Sequence, residues 1–63
     1  MGTMQFRFPD EQTARGFVRY LAKTLEDVAC LRSGADVWVV DGTHIHSRDV
    51  LRAASQLFGG HAV

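Results

Sequence analysis

The segment Asp36–Gly42 constrains the fold of this chain more than any other part of the sequence. It reads Asp-Val-Trp-Val-Val-Asp-Gly and contains three valines and the single tryptophan, Trp38. β-branched and aromatic residues in a run of this length are typical of a pleated, largely buried strand. Gly34 precedes the run, and an Asp-Gly pair ends it. We therefore predict that this segment is the central strand of a small sheet.

Two further strands are predicted before this segment. In Met4–Phe8 apolar and polar residues alternate, which is the period-two pattern of a strand with one face in solvent. Pro9 ends that strand because proline has no N–H to donate to a ladder. Val28–Arg32 is a second apolar run, and the turn Ser33–Ala35 joins it to the central strand. Such a short connection predicts an antiparallel hairpin.

Apolar residues recur at helical spacing in two segments. Asp10 is placed to cap a first helix over residues 10 to about 25, and Ser47 is placed to cap a second helix that Gly59–Gly60 ends. The apolar stripes contain Ala14, Phe17, Val18, Leu21 and Leu25 in the first helix and Val50, Leu51, Ala54, Leu57 and Phe58 in the second. Gly16 lies on the opposite side of the first helix, where it is either tolerated or marks a close approach of another segment.

The predicted element order is β-α-β-β-α. A right-handed crossover places both helices on one face of a three-stranded sheet with the strand order 1-3-2. Residues 43–46 are predicted to form a loop before the second helix rather than a return strand. This α+β topology resembles a truncated ferredoxin-like unit that lacks its final strand. The resemblance is one of topology alone, because no motif in these residues identifies a family.

Chain length predicts one domain, residues 1–63, with frayed ends at residues 1–3 and 61–63. A chain of 63 residues buries only about 60% of its unfolded surface, so its stability needs a further source. Cys30 is the single cysteine, which excludes an internal disulfide framework and is typical of a cytoplasmic protein. The sequence shows no signal-peptide pattern and no apolar run of about 20 residues, so we expect no membrane span.

We expect self-association, most simply as a homodimer, to supply that stability. In the order 1-3-2 the first strand lies at an edge of the sheet, where only the charge of Arg7 discourages pairing. The predicted contact is therefore this edge together with the sheet face beside it.

Candidate metal-binding and catalytic side chains cluster after the central strand. They are Asp41, His44, His46 and Ser47. Two histidines at this spacing share a face of an extended segment, but a structural zinc site needs four ligands, so Cys30 or His61 would have to complete it. A catalytic set is recognised by spatial geometry, which spacing does not provide. We therefore predict no metal, no cofactor and no catalytic activity.

A basic stripe runs along the first helix at four-residue spacing. It contains Arg15, Arg19 and Lys23. Such a stripe can follow a phosphate backbone, but Glu11 is placed to pair with Arg15. Seven basic and seven acidic residues give a net charge of zero, without the excess that drives nucleic-acid binding.

The sheet face opposite the helices is the other candidate surface. If the apolar side chains Phe6, Phe8, Val37 and Val39 pack beneath the helices, the opposite face is bare. The candidate interface residues on it are Gln5, Arg7, Arg32, Trp38 and Val40. Tryptophan and arginine are typical anchors of protein interfaces, and aromatic residues on an open sheet also stack on RNA bases. An inverted assignment of the two faces would instead place Trp38 in the core.

The sequence thus predicts a small intracellular protein-interaction module that self-associates or binds a protein partner. The alternative is a nucleic-acid-binding module that uses the basic stripe or the open sheet face.

Overall fold

Four strands and two helices form the described part of the chain, which is residues 2–25, 28–41 and 48–63 of the computed structural model. The elements are β1 (Gly2–Arg7), α1 (Glu11–Thr24), β2 (Val28–Ser33), β3 (Asp36–Asp41), α2 (Arg48–Gln56) and β4 (His61–Ala62). All neighbouring strands are antiparallel, in the order β2-β3-β1-β4. The fold is therefore a small α+β fold. The predicted loop at residues 43–46 and the predicted cap Ser47 lie outside the described residues.

The sheet has four strands where the sequence predicted three. β4 pairs with the outer side of β1, opposite Phe6 and Arg7, and the Val63 N–H donates to the Gln5 carbonyl oxygen at 2.9 Å. From Gln5 to Arg7 the outer side of β1 is therefore paired, and this part of the strand is not the free edge that the sequence predicted. A strand of two residues is too short to show a period-two pattern, so residues 61–63 were expected to fray.

The end of α2 explains how the chain returns to β1. Gly59 has φ +77°, the left-handed conformation expected of a glycine that ends a helix. The Gly60 N–H donates to the Ser55 carbonyl oxygen at 2.9 Å, and the Gly59 N–H to that of Gln56 at 3.1 Å. A Cβ at Gly60 would lie only 2.6 Å from Cδ2 of Phe8, so the backbone passes directly over this ring. This reversal directs the following residues alongside β1.

The core lies between the helices and one face of the sheet. Its buried residues are Phe6, Phe8, Ala14, Phe17, Leu21, Val37, Val39, Leu51 and Ala54. The ring of Phe17 lies 5.5 Å from that of Phe6, 4.9 Å from that of Phe8 and 6.2 Å from that of Phe58. The predicted inward face of the sheet is thus confirmed, and both helices contribute to the same cluster.

Helix α1 begins and is packed as its sequence indicates, with one difference. The Thr13 N–H donates to the Asp10 carboxylate at 2.8 Å, which confirms Asp10 as the N-cap. Gly16 does not face only solvent, because the Phe58 ring lies against it. A Cβ built at this position would lie 3.1 Å from that ring. The close approach is therefore the correct reading of this glycine.

Leu21→Ala should destabilise the fold by about 2–5 kcal/mol, because Leu21 is fully buried and its removal leaves a cavity. Leu57→Ala is the matched control, since Leu57 is 71% exposed and should change stability by less than about 0.5 kcal/mol. Urea unfolding of both variants measures the difference. Equal midpoints would contradict the placement of Leu21 in the core.

Stability should also fall in acid through Asp10. Hydrogen bonds from the backbone and then the side chain of Thr13 lower the pKa of the Asp10 carboxyl. Because the folded-state pKa is the lower one, this contribution is complete above the unfolded-state pKa and is lost as the pH falls through the folded-state pKa. Asp10→Asn keeps a capping oxygen without titrating. Urea midpoints measured against pH should therefore fall less steeply for this variant, and identical slopes would contradict the assignment.

Candidate functional site

The sheet face opposite the helices is the candidate site, and we call it the open face. It carries the odd-numbered residues of β1 and β2, the even-numbered residues of β3, and His61 and Val63. This parity follows from strand alternation, since Val37 and Val39 are 0% and 1% exposed on the other side. Trp38 is therefore not a core residue. It is half-buried on the open face, as the sequence predicted.

The middle of the open face is a row of three apolar side chains and one glutamine, which we call the central row. Trp38 stands between its two cross-strand partners, Leu31 of β2 and Gln5 of β1. Leu31 is 72% exposed. On the far side of Gln5, Val63 is 63% exposed. Side chains directly opposite one another on antiparallel strands lie about 4.5–5.5 Å apart at Cβ, so the row is contiguous.

Val40 extends the apolar part of the open face beside the central row. It is half-buried and is flanked by its cross-strand partners Ala29 and Thr3, which are both exposed. Trp38 and Val40, two of the predicted interface residues, are thus two positions apart on β3 and lie on the same face of the sheet.

The other side of the central row is polar. Arg7 and Asp36 are cross-strand partners, and Nε of Arg7 lies 2.9 Å from Oδ1 of Asp36. Ser33 and His61 extend the polar row of Arg7 and Asp36 onto the two outer strands, β2 and β4. The ion pair neutralises Arg7, whose charge the sequence alone leaves free. The pairing could be found only once the register of β1 and β3 was known.

Arg32 is the predicted interface residue that the structure places elsewhere. It is the cross-strand partner of buried Val37, and therefore lies on the helix side of the sheet. Its Nη1 is 2.9 Å from Oε1 of Glu11 and 3.1 Å from the Gly34 carbonyl oxygen, and its side chain is 27% exposed.

The length of the hairpin turn explains this difference. The predicted three-residue turn, Ser33–Ala35, places Arg32 opposite Asp36 and hence on the open face. The observed turn contains only Gly34 and Ala35, with Gly34 at φ +59°, and Ser33 pairs with Asp36. A shift of one residue moves every side chain of a strand to the other face.

The basic stripe of α1 is exposed but partly neutralised. Nη2 of Arg15 lies 3.3 Å from Oε1 of Glu11, the carboxylate that also binds Arg32. Arg19 and Lys23 are exposed, and no salt bridge involves them in the described part of the chain. Since α1 packs on the other side of the sheet, the stripe and the open face do not form one surface.

The candidate metal-binding and catalytic residues are not assembled by the described residues. His44, His46 and Ser47 lie outside them. Cys30 is half-buried on the helix side of β2, where burial raises the pKa of its thiol, whereas His61 lies on the open face at the opposite sheet edge. Within residues 2–25, 28–41 and 48–63, no group of three or more His, Cys, Asp or Glu side chains could hold a metal ion.

An apolar groove lies between the helices, and sequence analysis did not predict it. Its volume is about 310 Å³, and it is lined by Tyr20, Thr24, Leu25, Val50, Ala53, Ala54 and Leu57. Val50 and Leu57 were expected in the core, yet they are 48% and 71% exposed. α2 ends at Gln56, so Leu57 lies in the turn beyond the helix rather than on its buried stripe.

Comparisons of the chain with protein-family models, curated proteins and solved structures found no match. Among the residues that the structure describes, neither helix is long and apolar enough to cross a membrane.

The contact of Arg32 with Glu11 should be measurable as a coupling energy. A double-mutant cycle of Arg32→Ala and Glu11→Ala, followed by urea unfolding, should give about 0.2–1 kcal/mol. The matched cycle of Arg15→Ala with Glu11→Ala should give less, because that pair is longer and more exposed. A coupling of zero for Arg32 and Glu11 would contradict a stabilising contact between these two side chains.

Proposed function

We propose that this chain is a small intracellular protein-interaction module that self-associates and has no catalytic activity of its own. The central row of the open face is the observation that supports it. Trp38 lies between Leu31 and Gln5 there, and Leu31 and Val63 are among the most exposed large apolar side chains of the described residues. Exposed apolar side chains grouped beside an aromatic residue and bordered by polar ones are typical of protein interfaces.

The proposed fold assignment is a ferredoxin-like architecture with a very short last strand. The element order β-α-β-β-α-β and the sheet order β2-β3-β1-β4 support this assignment. The fold itself carries no function, since this architecture serves many unrelated activities. The proposal for function therefore does not depend on the fold assignment.

The distribution of charge favours a protein partner over a nucleic acid. Arg7 is paired with Asp36, and both Arg15 and Arg32 are paired with Glu11. The formal net charge is zero, whereas phosphate binding is driven by a basic excess. The nucleic-acid alternative depends on Arg19 and Lys23 of α1, or on base stacking at Trp38.

Cys30 is a free cysteine, which fits a protein of a reducing compartment such as the cytoplasm.

Static light scattering at high micromolar concentration should give twice the mass of the chain. Because the proposed contact does not depend on ion pairs, the dimer should persist when the salt concentration is raised. A monomer at every accessible concentration would contradict the proposal.

An electrophoretic shift assay with mixed DNA and RNA distinguishes the alternative. We expect no salt-sensitive shift at micromolar protein. A shift that weakens in salt, and that Arg19→Ala with Lys23→Ala abolishes while Arg52→Ala does not, would favour nucleic-acid binding instead. Arg52 is a suitable control because it is an exposed arginine on α2, near Asp49.

A further inference from the structure

We infer that a second copy of this chain pairs antiparallel with β2, so that the two sheets join edge to edge. The inference rests on the proposed self-association and assigns its site. β2 ends the sheet on one side, and in the described part of the chain no strand pairs with its outer edge. At the other end, β4 and Val63 cover the outer side of β1 from Gln5 to Arg7. β2 is thus the longer of the two outermost strands.

β2 has no proline, no bulge and no charge on the open face, and its arginine lies on the helix side. Edge strands are commonly blocked by proline, by a bulge or by an outward charge. β2 reads Val-Ala-Cys-Leu-Arg-Ser, and it pairs with β3 in unbroken register from Val28 to Ser33. Its one charge is Arg32, which Glu11 and the Gly34 carbonyl oxygen hold on the helix side. Two copies of β2 can therefore approach without an unpaired like charge between them.

Strand alternation restricts how the two copies meet. A two-fold axis perpendicular to the sheet keeps both open faces on one side, and residues of equal parity then face each other. One such register places Leu31 opposite Leu31 of the second copy, and another places Cys30 opposite Cys30.

The exposed apolar side chains of the open face favour the register that places Leu31 opposite Leu31 of the second copy, which we call the Leu31 register. It covers a side chain that is 72% exposed with its own counterpart. The central rows of the two copies then become continuous, with Trp38 of each copy one strand from the axis. The dimer is one sheet of eight strands, four from each copy, with a single open face.

Two leucines of equal exposure allow a matched test of the edge. Leu31 is 72% exposed on β2, and Leu57 is 71% exposed beside α2. Leu31→Lys places a charge on the paired edge and should raise the dissociation constant of the dimer by about tenfold or more, which is at least 1.4 kcal/mol. Leu57→Lys should leave that constant unchanged. Sedimentation over a concentration series measures both, and the melting temperature of each variant confirms that it is folded.

Amide hydrogen exchange provides a second readout without any substitution. The outward N–H groups of β2 should exchange quickly in dilute protein and slowly at concentrations where the dimer forms. Unchanged exchange along β2 in a confirmed dimer would overturn the inference.

Disulfide trapping tests the register. Directly opposed Cα atoms of antiparallel strands are about 4.5 or 5.5 Å apart, within the range that a disulfide spans. Under a mild oxidant such as diamide, Cys30→Ala with Leu31→Cys should form a covalent dimer, and the unaltered chain should not. A covalent dimer through Cys30, or none from the introduced thiol in a dimeric sample, would overturn the Leu31 register.

Failure of this inference is distinct from failure of the proposed function. A monomeric unaltered chain contradicts self-association itself. A dimer that tolerates Leu31→Lys retains self-association and removes β2 as its site. In that case, weakening by Trp38→Ala indicates packing of open face on open face, and weakening by Leu57→Lys indicates a contact through the helices.

Discussion

The packing of the Phe17 ring is the contact on which the rest of the structure depends. This ring of α1 packs against Phe6 and Phe8 at the end of β1 and against Phe58 beyond α2, and so joins three separate parts of the chain. Phe8 in turn lies against Gly60, where the backbone turns back toward β1. These aromatic side chains hold both helices on one face, and within residues 2–25, 28–41 and 48–63 no helix or strand packs on the other face of the sheet. The candidate interaction surface is therefore a consequence of where the core lies.

Those parts of the fold that depend on local periodicity could be predicted from the sequence. The alternation in β1, the stripe and cap of α1 and the glycine that ends α2 are local patterns, and each is confirmed. β4 could not be predicted in this way. It consists of two residues, and its pairing depends on a reversal at Gly59 and Gly60 that brings distant parts of the chain together. Periodicity contains no information about such a contact.

The candidate site was predictable in outline but not in its charges. Trp38 and Val40 were assigned to the open face because Val37 and Val39 alternate with them, and that reasoning needs no knowledge of the neighbouring strands. The pairing of Arg7 with Asp36 can be predicted only if the register of β1 against β3 is known. The position of Arg32 can be predicted only if the length of the turn is known. The side chains of neighbouring strands therefore determine which charges are unpaired. Alternation within a single strand is enough to determine which apolar residues share a face.

The two-residue turn at Gly34 and Ala35 determines which side chains of β2 lie on the open face and which lie on the helix side. If the turn were one residue longer, Leu31 would face the helices and the guanidinium of Arg32 would stand on the open face, beyond the reach of Glu11. The edge would then carry the kind of charge that keeps natural sheets from joining. A single residue inserted in this turn would thus change the charge on the outer edge of the sheet, with no substitution in the core. Under the proposed pairing through β2, related chains that differ in this turn differ in assembly while they share the fold.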